Sequence, residues 1–531
     1  MTGGPTPLPD NTAVPHRHRR RAHAHTRRFR SALGLTVLGA LLPGTALIAA
    51  GRRKLGAVTL VVFLLLVAGV VWLGTAGKQT AIRAAVDTHE LLWVVGGTAL
   101  IALLWVVVIV AGYRMLVPAG TPRGRRVLGA VVVLVLVAAV VAPALEVGRL
   151  AMVQRDLIAG VFHDGQSATV VDKPNPFGSK RRVNVLLLGG DGGVDREGVR
   201  TDTVIVASID THTGDTTLIS LPRNLENLPF PPGSALAKAY PDGFEAGKED
   251  ESLLNAVYRN GPAAHPNILG PTDNPGADFL KLGVGEATGL HIDYYVLVNL
   301  AGFSKLVDTL GGITLNVNYY VPVGGEPTLG QLPDDYIAPG PNQHMDGATA
   351  LAFARGRFGL TDYLRMARQR CAIQAIVQAA DPVTLLKQYQ ALAATTKDTV
   401  STDIPTSALD DFVSLGFSVK DASIRSLVFD QSLINPAYPN YAKIRSLVAA
   451  ALRPGKSAGS DSSPSTSSAA PSTSSAPSSS AANSSATSSA TPSGAPPTTN
   501  PVANVKDACA YDPKQAAAAR AAGEPPTKHH S

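Results

Sequence analysis

Two aspartates flank a glycine-containing loop that follows an apolar strand pattern. Asp191 follows the run at 183–189 by two residues, and Asp202 precedes the next strand pattern, two residues after Arg200. Two carboxylates at the end of a strand are a plausible site for a divalent cation. The alternative is a tight turn that the glycines form and the aspartates cap. For this loop in isolation we favour the tight turn.

Four arginines lie where strands or helices are expected to end, so their side chains can converge. They are Arg200, Arg223 in the sequence LPRN, and Arg355 and Arg357 in FARGR. A planar guanidinium group can hydrogen bond to two phosphate oxygens at once, and it stays charged. The set therefore indicates a phosphate-binding site, although a surface ion pair is the simpler explanation for any single arginine.

A predicted helix that begins near Asp362 adds three polar residues to this set. Arg365, Arg368 and Gln369 have i, i+3 and i+4 spacing, which places them on one face of the helix. We expect this face to point into the same site.

The region of about 182–452 alternates strand-like and helix-like patterns, which predicts an α/β fold with a mixed central sheet flanked by helices. Strands are predicted at 183–189, 203–210, 216–222, 292–300, 313–318 and 424–430. The second and third of these read as a β-hairpin across the turn-rich sequence THTGD. Helices are predicted at 251–261 (closed by Asn260-Gly261), 303–312, 343–355, 362–380, 382–397 and 441–452.

Three apolar runs before this region are long enough to span a bilayer, at about 56–75, 91–117 and 127–148. A fourth run at 31–50 is interrupted by Pro43-Gly44, and each half is too short to cross alone. We therefore predict that 31–50 is re-entrant or interfacial.

The charges of the loops predict the orientation in the membrane. The loops at 51–54 and 121–126 are basic, whereas the loop at 77–90 carries mixed charge. By the positive-inside rule, the first two loops and the basic head at 1–30 are cytoplasmic, and the chain from about 150 onward is extracytoplasmic. The prediction is a multi-pass protein of the cell membrane. The net charge of +7 therefore does not indicate nucleic-acid binding.

Composition divides the remainder of the chain. We predict a polar connector at 149–181, a flexible Ser/Ala/Pro/Thr-rich linker at 453–501 and a short C-terminal segment at 502–531 that is too small to fold without help. The two cysteines, Cys371 and Cys509, exclude a disulfide framework or a cysteine-based zinc site. Outside the cytoplasm they could pair with each other, which the sequence leaves open.

The ordered motifs of 182–452 resemble those of the LytR-CpsA-Psr family of cell-wall glycopolymer ligases, of the actinobacterial type. The similar segments are NVLLLGGD, GVRTDTVIVASID, ISLPRN, SLLNAVYRNG, IDYYVLVNLAGFSKLVDTLGGITLNV, MDGATALAFARGR and DYLRMARQR. The resemblance implies transfer of a phosphoglycosyl chain from a polyprenyl pyrophosphate carrier to a peptidoglycan hydroxyl. A phosphodiester forms, and polyprenyl phosphate leaves. The lipid tail is expected in an apolar channel of the domain.

The resemblance also assigns roles to the candidate residues. Asp191 and Asp202 would hold Mg²⁺, or Mn²⁺ in its place, on the pyrophosphate. Asp191 is in addition a candidate to take the proton of the acceptor hydroxyl. The residues expected to bind or support the pyrophosphate are Arg200, Arg223, Arg355, Arg357, Arg365, Arg368 and Gln369. Positioning and charge neutralisation of this kind are what phosphoryl transfer requires.

Three positions depart from the family pattern. Asn224 and Asn299 stand where the family usually has Asp, and the loop after Asp191 has two glycines, with Arg196 nearby. We expect Asn224 to weaken a support of Arg223. The alternatives to a ligase are a pyrophosphatase, a non-catalytic binder of polyprenyl-linked glycans and a transcriptional attenuator. The attenuator is disfavoured because a DNA-binding protein needs a basic surface in the cytoplasm.

Overall fold

The computed structural model describes residues 29–77, 80–81, 84–85, 87–118, 121–162, 165–170, 177–191, 199–380, 400–453 and 502–529. The predicted helix at 382–397, nearly all of the basic head and the linker after Arg453 lie outside the described residues. Arg196 does too.

The helices with described bounds before the α/β region are five. They are α1 (Phe29–Leu41), α2 (Thr45–Ala49), α3 (Arg53–Gly74), α4 (Thr88–Leu116) and α5 (Arg123–Val161). Within the described residues three stretches are long and apolar enough to cross a membrane, 53–74, 89–116 and 123–156. They coincide with the three predicted spans.

The predicted break at Pro43-Gly44 separates α1 from α2. Gly44 adopts a left-handed backbone with φ 106°, and a Cβ there would lie 2.2 Å from the carbonyl oxygen of Gly56 in α3. Only glycine permits this close approach. The Trp105 indole of α4 donates to the carbonyl of Ala40, at 3.0 Å, in the last turn of α1. The two short helices therefore fold back against α3 and α4.

Helix α5 continues past the third predicted span as far as Val161, within the predicted connector at 149–181. Ala151 and Ile158 of this extension are buried in one cluster with Leu91 and Leu409. The extension therefore contacts the α/β region through apolar side chains that a search for a polar connector overlooks.

The central sheet is mixed, as predicted, with the strand order β11-β10-β3-β2-β1-β4-β9. Its strands are β1 (Arg182–Gly190), β2 (Thr201–Asp210), β3 (Thr216–Leu221), β4 (Tyr294–Asn299), β9 (Val400–Thr402), β10 (Ile424–Val428) and β11 (Val502–Asn504). Two small sheets pair β5 (Ile313–Val317) with β8 (Gly340–Met345), and β6 (Val321–Val323) with β7 (Asp335–Ile337).

The helices of the α/β region lie between these strands in the sequence or after the last of them. They are α6 (Ala235–Ala239), α7 (Leu254–Ala264), α8 (Pro275–Thr288), α9 (Leu300–Thr309), α10 (Gly347–Arg355), α11 (Asp362–Ala379), α12 (Leu409–Asp421), α13 (Tyr441–Ala451), α14 (Val505–Ala508) and α15 (Pro513–Ala522).

Alternating side chains of the central strands are buried against helices on both faces of the sheet. Leu186 and Val206 pack with residues of α7, α8 and α13 on one face. Ile205 and Leu218 pack on the other face with residues of α11 and α14. The fold is therefore a sheet between two helical layers, in agreement with the predicted class.

One edge of the sheet gathers the strand ends that carry the candidate residues. β1 and β4 are parallel and end side by side at Gly190 and Asn299. β2 is antiparallel to β1, so it begins at the same edge, with Thr201 opposite Gly190. β3 ends there at Leu221, and β10 runs parallel to β3. We call this edge the site edge.

Three predicted elements are corrected by the structure. The helix expected to close at Asn260-Gly261 continues to Ala264. Gly261 lies inside this helix because α8 packs closely against α7 there: a Cβ on Gly261 would lie 2.5 Å from the Phe279 ring. The helix predicted at 343–355 begins only at Gly347, since the preceding residues pair as β8 and Asp346 caps the helix. The strand predicted at 313–318 lies in a small sheet and not in the central one.

The C-terminal segment at 502–529 packs against the α/β region. Its strand β11 pairs with β10, and Val505 is fully buried. Cys509 forms a disulfide with Cys371 of α11, so the pairing that the sequence left open is confirmed. Lys528 forms a salt bridge with Asp334 at 2.8 Å. This short segment is therefore stabilised by its pairing with β10, by the disulfide and by α11.

Candidate active site

A cavity of about 520 Å³ opens at the site edge between β1, β4, α9, α10 and α11. Its wall is mainly apolar, with Leu187, Val296, Phe303, Leu351, Ile373 and Ile376 among the lining residues. Six of the predicted site residues line the same cavity, Asp191, Asp202, Arg355, Arg357, Arg365 and Gln369, together with the polar residues Thr203, Asn299 and Glu326. One cavity thus combines an apolar wall with carboxylates and guanidinium groups, as an amphiphilic anion requires.

The loop after β1 is closed by two hydrogen bonds at its base. The amide of Asp191 donates to the carbonyl of Arg200 at 3.1 Å, and the Arg200 amide donates to Asp191 Oδ1 at 2.9 Å. A Cβ on Gly190 would lie 2.9 Å from Val199 Cγ1. The glycine therefore permits the narrow base, and the same turn fixes a carboxylate in the cavity wall. The turn and the proposed metal position are compatible.

Asp202, near the start of β2, is held by two side chains. Its Oδ1 accepts from Arg223 Nη1 at 2.8 Å and from Asn255 Nδ2 at 3.2 Å. Burial raises the pKa of Asp202, but the charge and hydrogen bond of Arg223 outweigh burial and lower this pKa below its usual value of 3.8. Asp202 is therefore ionised at neutral pH.

Asp362 joins two arginines at the beginning of α11. It lies 3.4 Å from Arg223 Nε and 2.9 Å from Arg365 Nη2. Arg365 also donates to the main-chain carbonyl of Asp202 at 2.9 Å, and its side chain is only 4% exposed. This network ties α11 to β2 and to the turn after β3.

Arg355 and Arg357 lie at the end of α10, and Arg368 of α11 supports this segment from below. Arg368 is buried and donates to the carbonyls of Phe353, at 2.6 Å, and of Gly356. It also donates to the Tyr319 hydroxyl at 3.0 Å. Arg368 does not line the cavity, so its role among the predicted residues is to position the Arg355-Gly356-Arg357 segment.

Arg357 makes no hydrogen bond or salt bridge with any residue that the structure describes. Burial and the neighbouring positive charge of Arg223 lower its pKa, with Asp202 opposing them. A guanidinium group that is partly desolvated next to other cations is stabilised by a bound anion. This position is therefore suited to a phosphate oxygen.

The remaining predicted residues have partners within the protein. Gln369 donates to the Thr203 hydroxyl at 2.8 Å, which holds the side chain at the cavity wall. Arg200 forms a salt bridge with Glu251 at 2.6 Å, and Glu251 also accepts from Arg259 and Asn260. Arg200 and Arg223 are not among the residues that line the cavity. The structure thus brings six of the nine predicted site residues into one cavity wall.

The chemistry of two cavity side chains is compatible with the predicted Mg²⁺. Asp191 and Asp202 line the same cavity as Arg357, and hard carboxylate oxygens are the ligands that Mg²⁺ prefers. Mg²⁺ at phosphate sites usually takes one or two protein carboxylates and completes its shell with phosphate and water. Among the described residues, no group of three or more His, Cys, Asp or Glu side chains is placed to hold a metal ion.

Asn255, Asp362 and Glu251 contact the site arginines or Asp202, and the sequence predictions did not include them. Asp362 could have been found, because it lies three residues before Arg365 on the same helix. Asn255 stands in the quoted helix motif SLLNAVYRNG, but nothing in the pattern links it to Asp202. We expected Asn224 to weaken a support of Arg223, but the structure shows no such effect. Asn224 is exposed, and Asp202 and Asp362 hold Arg223.

Known proteins resemble the chain over the region that contains this cavity. The LytR_cpsA_psr family matches residues 162–443. The polyisoprenyl-teichoic acid–peptidoglycan teichoic acid transferase TagU of Enterococcus faecalis is 30% identical over 249 residues, 46% of this chain and 68% of the relative. The probable cell wall biosynthesis protein LcpB of Corynebacterium glutamicum is 31% identical over 214 residues, 40% of this chain and 41% of the relative.

A solved structure also resembles the chain. The LytR-Csp2A-Psr enzyme from Actinomyces oris is 19% identical, with a TM-score of 0.34, and the match covers 51% of this chain and 90% of that one. The family match spans more than half of the chain and includes every residue that lines the cavity. The protein therefore belongs to the LytR_cpsA_psr family.

Proposed function

We propose that this protein transfers a glycopolymer from a polyprenyl pyrophosphate carrier to peptidoglycan. An acceptor hydroxyl oxygen attacks the phosphorus next to the glycan, the P–O–P bond breaks, and polyprenyl phosphate leaves while a phosphodiester remains. The observation that carries the proposal is the single cavity in which an apolar wall adjoins Asp191, Asp202, Arg355 and Arg357. The name of the Enterococcus faecalis relative, a polyisoprenyl-teichoic acid–peptidoglycan teichoic acid transferase, describes a reaction of this class.

The side chains divide the work on the substrate. Arg357, Arg355 and Arg365 neutralise the pyrophosphate oxygens, which gain charge as the bond to the leaving phosphate breaks. Arg223 and Asn255 hold Asp202, and Arg368 holds the segment that carries Arg355 and Arg357. Asp191 and Asp202 would hold Mg²⁺, which supplies positive charge to the same oxygens. The isoprenoid chain lies along the apolar wall.

The basic loops and the three apolar helices support a position in the membrane. We infer that 53–74, 89–116 and 123–156 cross the bilayer, and that the α/β region lies outside the cell. The substrate is itself anchored in this bilayer, so the cavity and its lipid share one surface. Protease added to intact cells should cleave the α/β region and spare the head at 1–30. Cleavage of the head would contradict this topology.

The transferase assignment is tested with the full chain in lipid nanodiscs. It receives a polyprenyl pyrophosphate-linked oligosaccharide and peptidoglycan, with Mg²⁺ or with a chelator. We expect a phosphodiester-linked product and free polyprenyl phosphate with the parent protein, and loss of both with Arg357→Ala or Asp202→Asn. Arg453→Ala is the matched control, since Arg453 is exposed beyond the end of α13.

The products separate the alternative functions. A pyrophosphatase releases an oligosaccharide phosphate that is not linked to peptidoglycan, because water attacks in place of the peptidoglycan hydroxyl. A non-catalytic binder retains the lipid and releases no polyprenyl phosphate. Either result with the parent protein would contradict the ligase.

A further inference from the structure

A second groove lies on the site edge, separate from the cavity of the candidate active site. It encloses about 480 Å³ and is formed by the turn after β3, the turn after α6 and the segment before α13. Its lining residues are Asn227, Pro229, Phe230, Ala237, Tyr240, Pro241, Asp242, Gly243, Tyr438, Pro439 and Tyr441. Four aromatic rings and three prolines thus surround a surface groove for which the catalytic proposal has no use.

The exposed ring in this groove is unusual for the α/β region. Tyr438 is 83% exposed, although tyrosine is a large, mostly apolar side chain. Tyr240, which lines the same groove, is buried and packs against Phe230 and Phe244, with ring centroids 5.6 Å and 5.2 Å apart. An exposed ring beside a fixed aromatic wall is a surface on which a flat, partly apolar ring can stack.

Hydrogen bonds hold the groove in shape without a ligand. The amide of Glu226 donates to the carbonyl of Pro436 at 3.0 Å, and the Tyr441 hydroxyl donates to the carbonyl of Glu226 at 2.5 Å. Gly243 has φ 95°, and a Cβ there would lie 2.4 Å from the carbonyl oxygen of Asn227. The groove is therefore preorganised, which lowers the entropic cost of binding.

The charge of the groove selects among glycans. Its lining contains one carboxylate, Asp242, and no lysine or arginine. Asp242 and Asn227 are exposed, and neither side chain has a hydrogen-bonding partner among the described residues. A polyanionic phosphate polymer is disfavoured beside an unpaired carboxylate. Uncharged sugar rings, with an apolar face and hydroxyl and amide groups at the rim, match both the aromatic rings and the polar groups.

The groove is close enough to the cavity to serve the same reaction. Asn227 follows Arg223 by four residues, so their Cα atoms are at most about 15 Å apart. Arg223 in turn contacts Asp202 in the cavity wall. A glycan of a few sugar units can therefore occupy the groove and still reach the cavity.

We propose that the groove formed by Tyr438, Tyr240, Tyr441, Asn227 and Asp242 binds an uncharged glycan strand, the acceptor of the transfer. The role of the glycan as acceptor rests on the proposed function, whereas its binding to the groove does not. The donor enters the apolar cavity with its phosphates on the arginines. The acceptor stacks on Tyr438 and presents its hydroxyl toward Asp202 along the site edge.

Binding is measured first, without donor or Mg²⁺, by calorimetry on the full chain in nanodiscs. The probe is chitotetraose, an uncharged β-linked amino-sugar oligosaccharide, and poly(glycerol phosphate) is the polyanionic comparison. We expect chitotetraose to bind and Tyr438→Ala to weaken it about tenfold or more, as the loss of an aromatic anchor does. Tyr438→Phe keeps the ring and should retain most of the affinity. Arg357→Ala should leave the affinity unchanged.

The results separate this proposal from the proposed function. No binding of chitotetraose, equal binding by Tyr438→Ala, or tighter binding of the polyanion overturns the groove as an acceptor site. Binding of a proline-rich peptide in place of the sugar overturns it too. In the transfer assay, Tyr438→Ala should raise the KM for the glycan acceptor and leave the KM for the lipid donor unchanged. If the parent protein binds chitotetraose but forms no product, the ligase fails and the groove stands.

Discussion

The arginines on the two sides of the cavity differ in their hydrogen-bond and salt-bridge partners. On the strand side, Arg223 lies 2.8 Å from Asp202, and Arg200 lies 2.6 Å from Glu251. On the helix side, Arg357 has no hydrogen bond or salt bridge to a described residue, and Arg368 beneath it donates to main-chain carbonyls. Arg200 and Arg223 thus neutralise carboxylates, whereas Arg357 is left for a ligand.

This difference indicates a division of labour that a count of arginines conceals. The paired arginines keep the carboxylates ionised and in place, which suits them for holding a cation. The unpaired guanidinium group, with its pKa lowered by burial and by Arg223, is stabilised by an incoming anion. Variants on the two sides should therefore fail in different ways.

The largest effect is expected for Arg357→Ala. Removal of a preorganised cation at the transferred phosphate should lower kcat for transfer about 10²–10³-fold, as the loss of one such donor does in other enzymes. Arg357→Lys should recover part of the rate, because it restores the charge but not the planar fork. Initial rates of polyprenyl phosphate release measure this effect. A loss smaller than that of Arg200→Ala would reverse the comparison.

Arg368→Met should act on stability and on position together. The variant leaves the carbonyls of Phe353 and Gly356 without this donor, so the free energy of unfolding should fall by about 1–3 kcal/mol. Denaturant unfolding measures the loss. Because the Arg355-Gly356-Arg357 segment shifts, the KM for the lipid donor should also rise at temperatures where the variant is folded. An unchanged KM would show that Arg368 serves stability alone.

The pH dependence of stability tests the strand side. The pKa of Asp202 in the folded protein is lower than 3.8, because Arg223 outweighs the effect of burial. A lowered pKa contributes stability above the unfolded value, and this contribution is lost as the pH falls through the folded value. The difference in Tm between the parent and Asp202→Asn should thus be constant from about pH 7 to 5 and shrink below about pH 4. A difference that grows on acidification would contradict the pairing.

The smallest effect is expected for Glu251→Gln. The side chains of Arg200 and Glu251 are 28% and 26% exposed, and such pairs contribute less than about 1 kcal/mol. Stability and transfer rate should therefore change less than in the Arg357, Arg368 and Asp202 variants. Arg200→Ala provides the comparison: if it abolishes transfer as Arg357→Ala does, Arg200 leaves Glu251 when substrate binds.

Local patterns in the sequence were enough to predict the layers of the fold and much of the cavity. A buried strand followed by glycines and Asp191 predicted where a carboxylate would lie, and the helical spacing predicted that Arg365 and Gln369 share a face. The mixed sheet followed from the same alternation. These predictions succeeded because they depend on strand and helix periodicity alone.

The contacts between distant segments could not be predicted in this way. The bonds of Arg368 to the carbonyls at the end of α10 depend on how two helices approach, and so does the extension of α7 past Gly261. An arginine that supports the backbone has the same sequence signal as one that binds phosphate. The contact of α5 with the α/β region could not be predicted for the same reason, since Ile158 packs in one cluster with Leu409, far along the chain.

The disulfide between Cys371 and Cys509 turns the intervening chain into a covalently closed ring. A single proteolytic cut anywhere between these residues therefore does not divide the molecule. Outside the cell, a nicked protein would migrate as one band on a non-reducing gel and as two after reduction. The C-terminal fragment would stay attached to the helix that carries Arg365 and Gln369, so breakdown of the chain need not begin with loss of the cavity.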